Sequence, residues 1–482
     1  MAESLKDKTV KGVSWSFVEQ VLTRGVNFVI GIILARLLSP TDYGLVGMLG
    51  IFIAVSQLFV DGGLASALIR QKDASDEDYS TVYIINLTLS VFFYFLLFFT
   101  APLVADFYDQ PLLKPLMRVV ALILIIGSLA SVQGTLLAKR VDFKSKTLIS
   151  LATSVISGIA GIVCALKGLG VWALVAQSLT GACVATLFTL CIVRWMPRLV
   201  FSKASFRKLF SFSSKILAAS IISTIYDNAY PMVIGKKFSA KEVGLFTRGS
   251  QFPSMANSTL VSTFNRVAYP VLSQLQDDDE QLLHFYEKYI QVFCFIAFPV
   301  LMLICGCARP LVSLLLTDKW IECVPLMQII CFSLLPNGLI QINLNLLYVK
   351  GRSDLVLRME IIKKLIMFGV LFLSIFFGLK GICAGMVVNA LIDLYFSSYY
   401  TKKILSYGLG RQLRAVAPYF LISLVILAES LLVSHFFSSN WLSLLIAAVV
   451  TSLSFWSVSK ATNLYAYRET LSLVEEKLLK KA

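Results

Sequence analysis

Apolar residues run through this chain in long blocks separated by short polar breaks. About fourteen blocks are long enough to cross the ~30 Å hydrocarbon core of a bilayer as helices. Their approximate limits are 13–38, 43–68, 80–105, 112–138, 147–166, 170–193, 211–234, 243–273, 282–306, 322–348, 355–378, 381–404, 416–437 and 441–459. Two blocks carry polar residues at helical spacing. In the first, Gln20, Arg24, Asn27 and Gly31 follow i, i+4, i+7, i+11 and share one face. An arginine at that depth costs about 2.5–3.5 kcal/mol on insertion scales, so it needs a partner or a water-filled cavity. In the eighth, Arg248, Gln251, Ser258, Ser262, Asn265 and Tyr269 fall on one face, with Arg266 beside it. A span this polar cannot face lipid all round. It lines an aqueous cavity or is hydrogen-bonded among its neighbours.

The pattern also repeats. Leu38-Ser39-Pro40-Thr41-Asp42-Tyr43-Gly44-Leu45 recurs 200 residues later as Phe238-Ser239-Ala240-Lys241-Glu242-Val243-Gly244-Leu245. Each copy is S-x-x-[DE], a capping box that starts the next helix, and Pro40 suits the first helical position. Leu166-Lys167-Gly168 matches Leu379-Lys380-Gly381 at an offset of 213. Spans one to six are thus expected to repeat as seven to twelve, parallel, about an axis along the membrane normal. The 200-residue shift maps Gln20, Arg24, Asn27 and Gly31 onto Ser220, Thr224, Asp227 and Pro231. A pseudo-two-fold axis would set the two stripes facing each other across a cleft, with Asp227 opposite Arg24; alternatively, each polar residue is satisfied within its own half.

Composition agrees with the pattern. Of 482 residues, 57% are hydrophobic and 15% charged, where soluble proteins carry about a quarter charged. The net charge of +15 does not point to nucleic acid, because the basic residues sit in short loops between spans. Alternate loops are basic: Lys6, Lys8 and Lys11; Lys139, Arg140, Lys144 and Lys146; Arg194 to Lys208; Lys350, Arg352 and Arg358; Lys402 to Arg414; and the tail after Lys460. The positive-inside rule places these loops and both termini in the cytoplasm. The expected organisation is a cytoplasmic N-terminus (1–12), a first lobe (13–193), a basic linker (194–210), a second lobe (211–404), two extra spans (416–459) and an amphipathic cytoplasmic tail (460–482).

Other charges within the spans have competing explanations. Lys215 extends a cationic wall or snorkels; Arg118 snorkels at the outer end of span four. Glu360 and Lys364 form an i, i+4 pair, and Asp61, before Gly62-Gly63, is a helix-end device. The acids Glu19, Asp227, Asp393 and Glu429 are candidates for a coupling proton or sodium ion. The nine cysteines are scattered, mostly within apolar runs. They read as buried hydrophobes, not a disulfide framework. No nucleophile–base pair, phosphate-binding lysine loop or metal-ligand cluster is visible, so no enzyme activity, cofactor or metal is expected.

Asn27, then Leu34-Ala35-Arg36-Leu37-Leu38, Pro40, Tyr43-Gly44, Asp61-Gly62-Gly63 and Arg70 resemble the opening of the polysaccharide transport family. These are the Wzx-type flippases of O-antigen, capsule and exopolysaccharide, in the superfamily that includes MATE drug exporters and lipid II flippases. The resemblance implies an all-α protein with two six-helix lobes in a V plus two C-terminal helices. It implies alternating access, export of an undecaprenyl-pyrophosphate-linked oligosaccharide, and basic residues that meet the pyrophosphate. Arginine's bidentate fork suits phosphate. The candidate substrate-binding residues are Gln20, Arg24, Asn27, Lys215, Thr224, Asp227, Arg248, Gln251, Asn265 and Arg266. The expected partners are the lipid-linked oligosaccharide, the bilayer, H+ or Na+ for coupling, and the polysaccharide assembly machinery. A MATE-like antiporter would favour acids in the cleft. A membrane-embedded glycan polymerase would need a larger outer loop than the roughly fifteen residues available.

Overall fold

The computed structural model describes residues 22–469, apart from 72, 141, 199 and 438, and apart from the side chains of 143, 212, 215, 216 and 219. Every regular element among them is helical; fourteen main helices are accompanied by shorter helical turns such as Asp318–Cys323 and 465–469. The first six are α1 (22–37), α2 (Pro40–Asp61, continued by Leu64–Arg70), α3 (Asp76–Tyr108), α4 (Leu113–Val120, Leu122–Ser128 and Ser131–Lys139), α5 (Phe143–Leu166) and α6 (Trp172–Ile192). Then come α7 (Lys203–Lys237), α8 (Ala240–Gln274), α9 (Asp279–Gly306), and α10 (Val324–Leu334 and Asn337–Val349, preceded by Ala308–Leu315). The last four are α11 (Ser353–Ser374), α12 (Gly378–Leu405), α13 (Leu409–Phe436) and α14 (Asn440–Thr462).

Among the described residues, nine stretches, or ten if α4 counts as one span bent by 47°, are long and apolar enough to cross a membrane. Residues 353–405 count once there, although Ile375–Phe377 and Gly378 (φ 74°) fold α11 back against α12. The polar segments α7 and α8 fall below the hydropathy of a lipid-facing span, as their sequence stripes lead one to expect.

Both serines cap the helices that follow them, and the full capping box forms at Ser39. Ser39 Oγ accepts the Asp42 N–H at 3.3 Å while the Ser39 N–H donates to Asp42 Oδ2 at 2.8 Å. Ser239 Oγ likewise accepts the Glu242 N–H at 3.3 Å and donates to Glu242 Oε2 at 2.9 Å. The two helix starts then meet. A Cβ on Gly44 would overlap the Ala240 carbonyl oxygen, and a Cβ on Gly244 would overlap the Pro40 carbonyl oxygen. Each contact maps onto the other by the 200-residue shift, and each depends on a missing side chain. The second motif pair behaves differently. Gly168 (φ 75°) turns the chain after α5, whereas Gly381 lies inside α12; the equivalent turn glycine is Gly378, three residues earlier.

The chain divides into two compact units, Met1–Gly244 and Leu245–Ala482. α7 packs on α2 and α3 and belongs to the first unit, although the sequence repeat places it in the second lobe. The basic linker is also shorter than expected, because Ser202 caps α7 and helix begins at Lys203. In the second unit, 61% of the apolar stretch of α9 and of α10 is buried, against 17% in α6 of the first. α9 is the spine of that unit: Tyr286, Ile290, Phe293, Leu301 and Met302 pack against α10 and α13.

Candidate functional site

Gln20 and Glu19 lie outside the described residues, as does the side chain of Lys215. On α1, Arg24 is half-buried and Asn27 exposed; on α7, Thr224 is half-buried and Asp227 exposed. All four belong to the first unit. Beside them, Asn228 Nδ2 donates to the Thr224 carbonyl at 2.9 Å, turning that amide back onto its own helix.

The stripe on α8 is largely satisfied locally. Arg248 Nη1 donates to Gln251 Oε1 one turn on. Asn265 Oδ1 accepts from Asn345 Nδ2 of α10 at 2.9 Å. The hydroxyls of Ser258 and Ser262 donate to the carbonyls of Met255 and Thr259 within the helix. Arg266 is exposed. Thus α8 combines hydrogen bonds to its neighbour and to itself with open positions at Ser258 and Arg266, and Pro253 and Pro270 interrupt its backbone ladder.

The acids fare differently again. Asp393 on α12 accepts from Lys363 Nζ at 2.8 Å, and the same ammonium pairs with Glu360 on α11. Lys363 is 3% exposed and lies ten residues, roughly 15 Å, along α11 from Ser353. It is too deep to snorkel. Sequence spacing singles out Lys364; the buried partner is Lys363, one residue earlier. Its i, i+3 relation to Glu360 is legible in the chain, but the approach of Asp393 from the next helix is not. Glu429 on α13 accepts from Ser454 Oγ of α14 at 2.6 Å.

A second polar cluster in this unit is wholly buried. Asn343 Nδ2 donates to Ser397 Oγ (3.2 Å), Ser398 Oγ (3.4 Å) and Gln412 Oε1 (3.2 Å). Its Oδ1 accepts from Thr401, Gln412 and Tyr286. These groups tie α9, α10, α12 and α13 together, and leaving any of them unpaired costs about 1–3 kcal/mol. The sequence gives no hint of this cluster.

In the first unit α4 breaks around Leu129–Ala130. Ser90 Oγ and Ser128 Oγ lie 2.9 Å apart, and Asn86 Nδ2 donates to Ser131 Oγ at 3.1 Å, so α3 holds both sides of the break. Arg118, read as snorkelling, stacks 4.2 Å over the Phe98 ring and donates to the Phe98 carbonyl.

This is a polytopic, all-α membrane protein of two units, with fourteen main helices among the described residues. It belongs to the Polysaccharide biosynthesis protein family, which matches residues 33–325. Among curated proteins it is 26% identical to the lipopolysaccharide biosynthesis protein WzxC of Escherichia coli (strain K12) over 366 residues, 75% of this chain and 74% of that one. It is 26% identical to the succinoglycan biosynthesis transport protein ExoT of Rhizobium meliloti (strain 1021), covering 69% and 68% of the two chains. It is 22% identical to the teichuronic acid biosynthesis protein TuaB of Bacillus subtilis (strain 168), covering 73% of each. The lipid II flippase MurJ in its inward closed conformation has the same fold: TM-score 0.78, 13% identity, 95% of this chain and 100% of that one. An inward-facing MATE multidrug transporter superposes with TM-score 0.60 and 16% identity, over 84% of this chain and 94% of that one.

Proposed function

We propose that this protein is a flippase that moves an undecaprenyl-pyrophosphate-linked oligosaccharide across the bacterial cytoplasmic membrane by alternating access. It would serve O-antigen, capsule or exopolysaccharide synthesis. The family match over 33–325 carries this reading. Relatives named for lipopolysaccharide, succinoglycan transport and teichuronic acid work on different glycans, and a lipid carrier common to them is the simplest shared cargo.

The chemistry required is shielding, not bond-making. A sugar head group must cross ~30 Å of hydrocarbon while its polyprenyl tail stays in lipid. Arg24, with Arg248 and Arg266 as further cations and Gln20, Asn27, Thr224, Gln251 and Asn265 as neutral hydrogen-bonding groups, would receive the pyrophosphate and the sugars. Lys215 would extend that wall. Asp227, Asp393, Glu429 and Glu19 are the acids through which H+ or Na+ could drive the cycle. The MATE-like fold keeps a cation-coupled antiporter in view, but a stripe led by Arg24 disfavours cationic cargo.

The test is genetic. Cells lacking the protein should accumulate lipid-linked oligosaccharide on the cytoplasmic leaflet, and the wild-type gene should clear it. Accumulation of unpolymerised glycan on the outer leaflet instead would identify a polymerase. Reporter fusions after Lys203 and Lys402 should read cytoplasmic and one near Trp320 external; the reverse for Trp320 would overturn the orientation of the second half.

A further inference from the structure

Five segments of the first unit border an open cavity of about 490 Å³. It sits at the break in α4 and is bordered by α2, its Leu64–Arg70 continuation, α3, α4 and α7. Its polar lining is Asp61, Ser66, Asn86, Ser131, Thr135 and Ser220. We infer that this cavity is a glycan subsite, which holds one or two sugar units of the cargo while the pyrophosphate is bound elsewhere. The inference rests on the flippase reading and deepens it.

Three observations carry it. The first is the donor and acceptor set. No Lys or Arg is among the described lining residues. The set is one carboxylate, one amide and four hydroxyls. Sugar hydroxyls, which both donate and accept, match it: two can donate to Asp61, and the serines and threonine can take either role. The second is that these groups are held in place while retaining capacity. Asp61 Oδ1 is held by Gln57 Nε2 at 3.0 Å. Asn86, 3% exposed, anchors Ser131 through its Nδ2, and its Oδ1 has no hydrogen-bond partner among the described residues. Thr135 Oγ1 donates to the Ser131 carbonyl at 3.0 Å, which leaves its lone pairs available. The third is shape. A Cβ built on Gly127 or Gly134 would meet open space, so the α4 break presents bare backbone to the cavity. The volume falls within the ~300–1,000 Å³ of small-ligand sites. No aromatic side chain is among its described lining residues, as a hydrophobic cation would want.

The position suits loading. Thr135 borders the cavity one turn before, and Ala138 immediately before, the basic run Lys139, Arg140, Lys144 and Lys146, which the positive-inside reading places in the cytoplasm. A glycan entering from that side would meet the cavity first.

Gly134→Leu is the discriminating variant. A Cβ at Gly134 meets nothing within 4 Å and leucine favours helix, so the substitution projects an apolar group into the cavity from an uncrowded position. Full-length protein in nanodiscs would bind radiolabelled undecaprenyl pyrophosphate. The competitors would be the same bare lipid, or the lipid-linked oligosaccharide pool from cells lacking the protein. Wild type should prefer the glycan-bearing lipid by about tenfold or more, the worth of a few polar contacts. Gly134→Leu and Asp61→Asn should lose that preference and keep their affinity for the bare lipid. A preference that survives in Gly134→Leu overturns the assignment, as does a wild type that binds the two lipids equally. Equal weakening of both lipids by Asp61→Asn, accompanied by loss of Na+ or pH dependence, would make the cavity a cation site instead. If wild type binds neither lipid, the flippase reading itself fails.

Discussion

In the second unit, Lys363 is closed over by Glu360 and Asp393, and Asn343 is surrounded by Tyr286, Ser397, Ser398, Thr401 and Gln412. In the first, Asp61, Asn86, Ser131 and Ser220 border a cavity, while Asn27 and Asp227 are exposed. Both units place charged and polar residues at membrane depth, where each has a cost. They meet that cost in different ways. The second unit pairs its polar groups with one another inside a dense core built on α9, and the result reads as architecture. The first ties Asn86 to Ser131 and Asp61 to Gln57 and sets these groups at the edge of a cavity, which is the feature the glycan-subsite proposal uses. An intramembrane charge is therefore informative only once its neighbours are known.

The comparison can be broken most forcefully at Lys363. Lys363→Met leaves Glu360 and Asp393 without their buried counter-charge, and removing one partner of a buried pair costs about 3–5 kcal/mol. The purified variant should melt well below wild type in detergent, and adding Asp393→Asn should recover part of the loss. A Lys363→Met variant that melts like wild type would show that the cluster is solvated and not architectural.

A smaller loss is expected where the two capped helices meet. Gly44→Ala and Gly244→Ala each force a methyl into a neighbouring carbonyl, and overpacking of this kind costs about 1–3 kcal/mol. Gly134→Leu, also in the first unit, should leave the melting temperature unchanged because it faces open space. If the three variants melt alike, the contrast between packed and open positions is wrong.

The smallest effect is at the caps. Ser39→Ala and Ser239→Ala should each cost about 1 kcal/mol, and by similar amounts if the two junctions are equivalent. A difference of severalfold in detergent melting would argue that the repeat is sequence-deep only.

Much of this architecture is legible in the chain because it is local. Helix-length apolar blocks and S-x-x-[DE] caps act over a few residues, so α2 and α8 start where Ser39 and Ser239 say they do. What depends on helix pairing is not. Nothing in the spacing around Asp393 announces Lys363, thirty residues away, and nothing near Asn343 announces Gln412. The same limit explains Gly381: the tripeptide match pairs it with Gly168, but the glycine with positive φ that corresponds to Gly168 is Gly378. The break in α4 also escaped, because Leu129–Ala130 carries no proline or glycine. Asp61 was read only as the end of a helix; its cavity takes in α3, α4 and α7, and only the fold brings those together. The stripe of Arg24 and Asn27 is visible from periodicity alone, as an amphipathic face always is.

The most direct measurement is translocation in proteoliposomes of a fluorescent lipid-linked oligosaccharide, read by quenching from outside, for wild type and Arg24→Lys. Wild type should move the lipid between leaflets and return its glycan unaltered. Arg24→Lys keeps the charge but loses the bidentate fork; it should move the lipid at least about tenfold more slowly while melting at the wild-type temperature. Absence of translocation by wild type, lengthening of the glycan, or an Arg24→Lys variant as fast as wild type would contradict the account.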